Sequence, residues 1–255
     1  QSITRVVNTT PADFFDSLQI IAKSKAFENQ KRVNYQKIWE VEERRAVRSV
    51  KEFLPKEAFG ELELVHEIIR HLPPLCNLHL ANSMSVRYAN IIGLGDPKKN
   101  INVFSNRGTS GIDGCTSTAA GHALMNELPN ILVTGDLAFF YDRNSFWHNY
   151  ALPNLRIVVL NNHGGIIFSM IDGPGALPES NEYFVTQQKL NAQKLCEEFD
   201  FDYLKLDNKR KIKNTIKNFF EFDGRTKILE LESTIELNKS IFDNLKQTIK
   251  KSYEL

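Results

Sequence analysis

The chain has 255 residues, 42% hydrophobic and 25% charged, with 32 Lys and Arg against 31 Asp and Glu. Such a composition excludes a largely disordered chain, and a formal charge of +1 gives no overall electrostatic drive toward nucleic acid or an anionic membrane. No apolar run approaches the roughly 20 residues of a membrane span, and Cys76, Cys115 and Cys196 are too scattered for a C-x-x-C zinc pair or a disulfide framework. A reducing cytoplasm is the expected setting.

Gln1 stands where an initiator Met would, and the alternating segment Ile3-Thr4-Arg5-Val6-Val7 reads as a strand, as in a chain cut from something longer. Thr10 followed by Pro11 is a helix start, a capping residue and then Pro at the first helical position, leading into Phe14, Phe15 and Leu18. A long charged helix follows from about residue 29 to 53, with Trp39, Val47, Val50 and Leu54 as its candidate buried face. One strand and two helices make a poor domain, so Pro55 and Gly60 mark a boundary and divide the chain into residues 1–55 and 56–255.

Beyond that boundary a helix over 60–72 ends at Pro73-Pro74, and short apolar runs alternate with helical patterns. Strands are expected at 77–81, 102–105, 130–134, 155–160, 202–206 and 226–231. Helices are expected near 83–92, 113–127, 137–149, 187–199, 208–221 and 235–253. Runs such as Ile157-Val158-Val159-Leu160 are apolar at successive positions, which implies burial on both faces. The fold class is therefore α/β, a doubly wound, mainly parallel six-stranded sheet with its ligands outside the carboxyl ends of the strands. The basic run Lys209-Arg210-Lys211 falls on an amphipathic helix and reads as a solvated face.

Chemistry is then sought in the loops after the strands. There is no G-x-x-x-x-G-K-[ST] loop, and Gly93-Leu94-Gly95 is not continued to G-x-G-x-x-G, which disfavours nucleotide hydrolysis and Rossmann redox chemistry. Gly135-Asp136-Leu137 closes one strand and Asn161-Asn162-His163-Gly164-Gly165 the next. A carboxylate, an amide oxygen and a backbone carbonyl in a glycine turn suit an octahedral magnesium ion shared with phosphate oxygens; either loop alone would read as a turn with a capping Asp or Asn, and it is the two together that point to the ion. Ser83 can cap the helix after the first strand, with Arg87 one turn in and Arg107 on the neighbouring loop. Two guanidiniums on converging loops suit a carboxylate ligand, whereas either alone would read as a surface ion pair. His163 reads as a turn residue, and His122 and His148 as packed or solvated.

The Gly-Asp pair followed 26 residues later by Asn162, each closing a hydrophobic strand, resembles the diphosphate-binding motif of thiamine-diphosphate enzymes, with Leu137-Ala138 where many members carry Gly-Ser. Ser105-Asn106-Arg107-Gly108-Thr109-Ser110-Gly111-Ile112-Asp113-Gly114 closely resembles the signature of the menaquinone-pathway carboligases within that superfamily. Gly-Asp-Leu, the Asn-Asn-x-Gly-Gly run with Ile167-Phe168-Ser169, and Asn82-Ser83 with Arg87 are similar to that family too, although Ala81 stands where Gly is common. The likeness covers at least residues 81–171.

The resemblance implies thiamine diphosphate with magnesium or manganese held by Asp136, Asn162 and the Gly164 carbonyl. Gly111, Gly135, Leu137 and Gly165 would lie along the cofactor. Ile112 would prop its bent shape, Ile167 and Phe168 would wall the pocket, and Ser83, Arg87, Arg107 and Ile167 would meet substrate. It further implies a transferase that joins decarboxylated 2-oxoglutarate to isochorismate, in a homodimer or homotetramer. Residues 1–55 would be the remnant of a central domain with a linker helix, and 56–255 the diphosphate-binding domain. The superfamily's proton-transfer Glu comes from a pyrimidine-binding domain, for which Glu40, Glu42 and Glu43 on a charged helix are poor substitutes, so the chain alone is expected to be inactive. Acetohydroxyacid synthases and 2-oxo acid decarboxylases are the alternative, disfavoured by Gly-Asp-Leu and by two arginines that a small monocarboxylic substrate would not need. A non-catalytic binding module is disfavoured by the intact Asp136, Asn162 and Gly164.

Overall fold

A computed structural model describes residues 5–23, 30–54, 59–171 and 173–254, with side chains of 30–32 left aside. The chain divides into two compact units, Gln1–Arg48 and Ser49–Leu255. In the first, helix α1 spans Pro11–Lys23, and its start is a reciprocal cap: the Asp13 amide donates to Thr10 Oγ1 at 3.2 Å while the Thr10 hydroxyl donates to Asp13 Oδ2 at 2.7 Å. The expected opening strand is not formed by its described residues, 5–7, which are irregular; the rest of it lies outside the described residues. Helix α2, Gln30–Phe53, runs from this unit into the second. Val50 and Leu54 are buried as expected, but Trp39 is 61% exposed and Val47 is also exposed, because the buried stripe occupies only the last turns of the helix.

The second unit alternates strand and helix. Strands β1 (Asn77–Leu80), β2 (Asn102–Phe104), β3 (Asn130–Gly135), β4 (Leu155–Asn161), β5 (Asp202–Leu206) and β6 (Lys227–Glu232) form one sheet in the order β2-β1-β3-β4-β6-β5. Every pairing is parallel. Helices α3 (Glu61–His71), α4 (Met84–Ile92), α5 (Cys115–Leu124), α6 (Asp136–Tyr141), α7 (Ile167–Met170), α8 (Gln193–Phe199), α9 (Ile212–Phe219) and α10 (Ile235–Tyr253) complete it.

Successive residues of the central strands enter two different cores. Val158 and Leu160 of β4 pack with Ile131 and Val133 of β3 and with residues of α3, α4, α9 and α10, whereas Ile157 and Val159 pack with Leu132, Ala119 and Ala123 of α5, Phe146 and Leu195 of α8. This double burial is why β4 carries no polar–apolar alternation. Each fully buried Val, Leu or Ile contributes about 1.5 to 3 kcal/mol of transfer free energy. The edge strand β2, by contrast, is short and exposed.

The helix expected at 137–149 is shorter, ending at Tyr141, with a 3-10 turn over Arg143–Phe146. Where the helix ends, the Asp142 carboxylate accepts from the Ser117 amide and hydroxyl at 2.7 and 2.6 Å. Among the described residues no helix is long and apolar enough to cross a membrane.

Candidate functional site

A cavity of about 250 Å³ opens at the carboxyl ends of β1, β3 and β4. Because β3 and β4 are hydrogen-bonded neighbours, with Gly135 in register with Leu160, the loops that follow them converge. Asp136, Asn162 and Gly164 therefore share the cavity wall with Gly135, Leu137, Gly165, Ile167 and Phe168. Ser83, Arg87, Arg107 and Ile112 line it from the β1 and β2 side. Gly111 is outside this lining, but its carbonyl accepts a hydrogen bond from Asn82 Nδ2 and so ties the 105–114 loop to the start of α4.

The β1–α4 junction departs from the expected geometry. Ser83 does not cap α4: its backbone lies at φ 71°, ψ −132°, far from the extended conformation that aims an N-cap hydroxyl at the first amides. Arg87 closes back on this turn instead, with Nη1 donating to the Ser83 carbonyl at 2.7 Å. Arg107 Nη1 donates to Asn82 Oδ1 at 2.8 Å, so both guanidiniums are oriented by the turn while remaining exposed. Each keeps further N–H donors, since a guanidinium carries five.

Asp136 opens α6 and is 1% exposed. Burial raises its pKa to about 6, against the lowering effect of Gln188, whose Nε2 donates to Asp136 Oδ2 at 2.7 Å. The same Nε2 lies 3.0 Å from Asn161 Oδ1. Asn162 is also buried; its Nδ2 donates to Glu61 Oε1 at 2.6 Å, and its Oδ1 has no hydrogen-bond partner among the described residues. Glu61, at the start of α3, is pushed up to about 7 by burial, with hydrogen bonds from Asn162 and Tyr88 acting the other way and the Asp136 charge adding to the rise.

Neither Glu61 nor Gln188 carries a sequence signal. An acidic residue in the first turn of a helix is ordinary, and Gln188 lies in irregular chain. His163 is a turn residue in the structure, at φ 63°, and His122 packs against His79. All three cysteines are buried and free.

The donor set fits a hard divalent ion. An orphaned, buried amide oxygen is costly unless something polar or charged meets it, and it shares a wall with a buried carboxylate and with the Gly164 carbonyl, which already accepts from the Ile166 amide at 3.1 Å. Among the described residues no cluster of three or more His, Cys, Asp or Glu side chains could hold a metal, so such an ion would rest on one carboxylate and neutral oxygens. That is the arrangement expected where a ligand's phosphates complete the coordination.

The fold matches that of a benzoylformate decarboxylase from Polynucleobacter necessarius with a TM-score of 0.58, covering 72% of this chain and 35% of that one at 16% identity. The likeness is one of fold: the second unit is a six-stranded, all-parallel sheet with flanking helices, an α/β fold. No protein-family model matches the chain. Among curated proteins it is 48% identical over 216 residues to the 2-succinyl-5-enolpyruvyl-6-hydroxy-3-cyclohexene-1-carboxylate synthase of Cytophaga hutchinsonii, covering 84% of this chain and 38% of that protein. It is 36% identical over 190 residues to the enzyme of the same name from Christiangramia forsetii, covering 74% and 32%. By sequence the chain belongs to this synthase family, and it spans about two-fifths or less of these relatives' length.

Proposed function

We propose that this chain forms the diphosphate-binding part of a thiamine-diphosphate- and magnesium-dependent carboligase that joins decarboxylated 2-oxoglutarate to isochorismate. The observation that carries the reading is the unpartnered, buried Asn162 Oδ1 on the cavity wall shared by Asp136 and Gly164. Asp136, Asn162 Oδ1 and the Gly164 carbonyl would hold magnesium or manganese against the diphosphate. When bound, thiamine diphosphate supplies a cationic ring that serves as electron sink for decarboxylation.

The chain's own residues do the rest of the work assigned here. Gly135, Leu137 and Gly165 line the stretch of cavity along which the diphosphate would lie, and Ile112 would support the cofactor from the β2 side. Ile167 and Phe168 close an apolar wall that excludes water from the reacting carbons and strengthens every charge interaction inside. Arg87 and Arg107, exposed at the cavity mouth, hold substrate carboxylates, and the fork of each guanidinium can give paired hydrogen bonds. The proton-transfer Glu would come from a pyrimidine-binding domain of the whole synthase, with which this chain would assemble in a homodimer or homotetramer.

The test is Asp136→Ala in the full-length synthase. Removing the one carboxylate of the donor set should abolish metal-dependent thiamine diphosphate binding in a titration that follows tryptophan fluorescence. Unchanged affinity would refute the assigned metal site.

A further inference from the structure

The two ends of an asparagine amide have nearly the same shape, so the side chain alone does not determine which end meets a ligand; its hydrogen bonds do. At Asn162 that choice is made by one partner. Nδ2 donates to Glu61 Oε1 at 2.6 Å, both residues are buried, and Oδ1 is left without a partner among the described residues. Turning the amide over would lose the hydrogen bond that Nδ2 gives the Glu61 carboxylate, which when ionised has no proton to give Oδ1, and would present N–H groups where a cation needs an oxygen lone pair.

Glu61 is itself held from two further directions. The Tyr88 hydroxyl of α4 donates to its Oε2 at 3.0 Å. Its backbone amide donates to Asn238 Oδ1 of α10 at 2.9 Å, and Asn238 Nδ2 donates in turn to Ser233 Oγ and the Thr234 carbonyl, both at 2.9 Å. The approach is close enough that a Cβ on Gly60 would meet Asn238 Oδ1 and Ile241 Cδ1 at 2.7 Å. The Glu61 carboxyl is thus a fixed acceptor, placed by α4 and α10 against a loop 101 residues away in sequence.

We infer that Glu61 is a positioning residue that orients the Asn162 amide with Oδ1 toward the metal. The inference rests on the metal-site reading above and extends it to a residue outside the motif loops. It requires only an acceptor at Glu61, which a glutamine can also supply. Groups that orient a metal ligand typically account for 10- to 100-fold in metal affinity.

The experiment titrates Mn2+ into the full-length synthase with thiamine diphosphate present, reading free Mn2+ by electron paramagnetic resonance and the fold by thermal unfolding. Glu61→Gln keeps the acceptor, whereas Glu61→Met keeps the bulk without it and Glu61→Ala keeps neither. The expected result is Mn2+ affinity within about threefold of the parent for Glu61→Gln and at least about tenfold weaker for the folded acceptor-free variants. Equal affinity for Glu61→Gln and Glu61→Met would overturn the inference, as would loss of the fold in both acceptor-free variants, which would assign Glu61 to folding alone. Asp136→Ala separates the two readings. If it abolishes Mn2+ binding while Glu61→Met binds like the parent, only the role of Glu61 fails; if it leaves Mn2+ binding intact, the metal site fails and the inference with it.

Discussion

Gly165→Ala tests whether the turn after β4 is built to the atom. A Cβ at this position would lie 3.1 Å from Phe168 Cδ2, 3.1 Å from the Val185 carbonyl oxygen and 3.2 Å from the Phe184 carbonyl oxygen. Two of those three atoms are backbone, and the Gly165 amide is already hydrogen-bonded to the same Val185 carbonyl at 2.5 Å, so the segments cannot part without losing that bond. Overpacking of this kind costs about 1 to 3 kcal/mol. At about 2 to 4 °C per kcal/mol for a unit of this size, a cost near 2 kcal/mol lowers the melting temperature by about 4 to 8 °C. The relief is a shift of the 163–165 turn by a few tenths of an ångström, which displaces the neighbouring Gly164 carbonyl from its place in the proposed donor set. The rise in melting temperature on adding magnesium and thiamine diphosphate to the full-length protein should therefore shrink as well. The assay is thermal unfolding of parent and variant with and without both ligands. A variant that melts with the parent and shows the same ligand-induced rise would refute the packing argument.

Arg87→Ala should raise the Michaelis constant for at least one carboxylate substrate and lower kcat/KM by about one to two orders of magnitude, with little change in thiamine diphosphate affinity; equal loss of both would mean that Arg87 supports the scaffold. Arg156 is completely buried and donates to the carbonyls of Phe219, Pro153, Leu155, Arg225 and Glu221, so Arg156→Met should cost at least about 3 kcal/mol, read as a lower urea midpoint. An unchanged midpoint would show that those carbonyls find other donors. His79, buried and facing His122, has its pKa lowered to about 4 by desolvation first and by His122 second. The unfolded chain, with an ordinary value near 6.5, binds the proton first, so the stability this neutral histidine contributes is present above about pH 6.5 and is lost as pH falls toward 4, amounting to about 3 kcal/mol in order of magnitude. Melting temperature against pH should fall across that window in the parent, and less steeply in His79→Gln.

Much of the second unit was legible in the amino-acid order because its signals are local. Consecutive apolar residues at 157–160 mean two covered faces wherever they occur, and the closing helix expected at 235–253 is found over Ile235–Tyr253, where the structure shows Thr234 capping it. The loops after β3 and β4 stood out because Asp136 and Asn162 each end an apolar run. Pairing those loops, however, required β3 and β4 to be neighbours, and the sheet order that inserts β6 between β4 and β5 has no local signal. Tertiary structure alone brought Glu61 and Gln188 to the site, from 101 and 26 positions away from Asn162 in the chain. It also set the backbone of Ser83, whose positive φ overrides the ordinary preference of a serine to cap a helix. The physical division is one of range. Periodicity and turn chemistry act over a few residues and declare themselves in sequence, whereas the partner that completes a buried hydrogen bond is whichever group the packing of distant elements delivers, and burial makes that partner decisive.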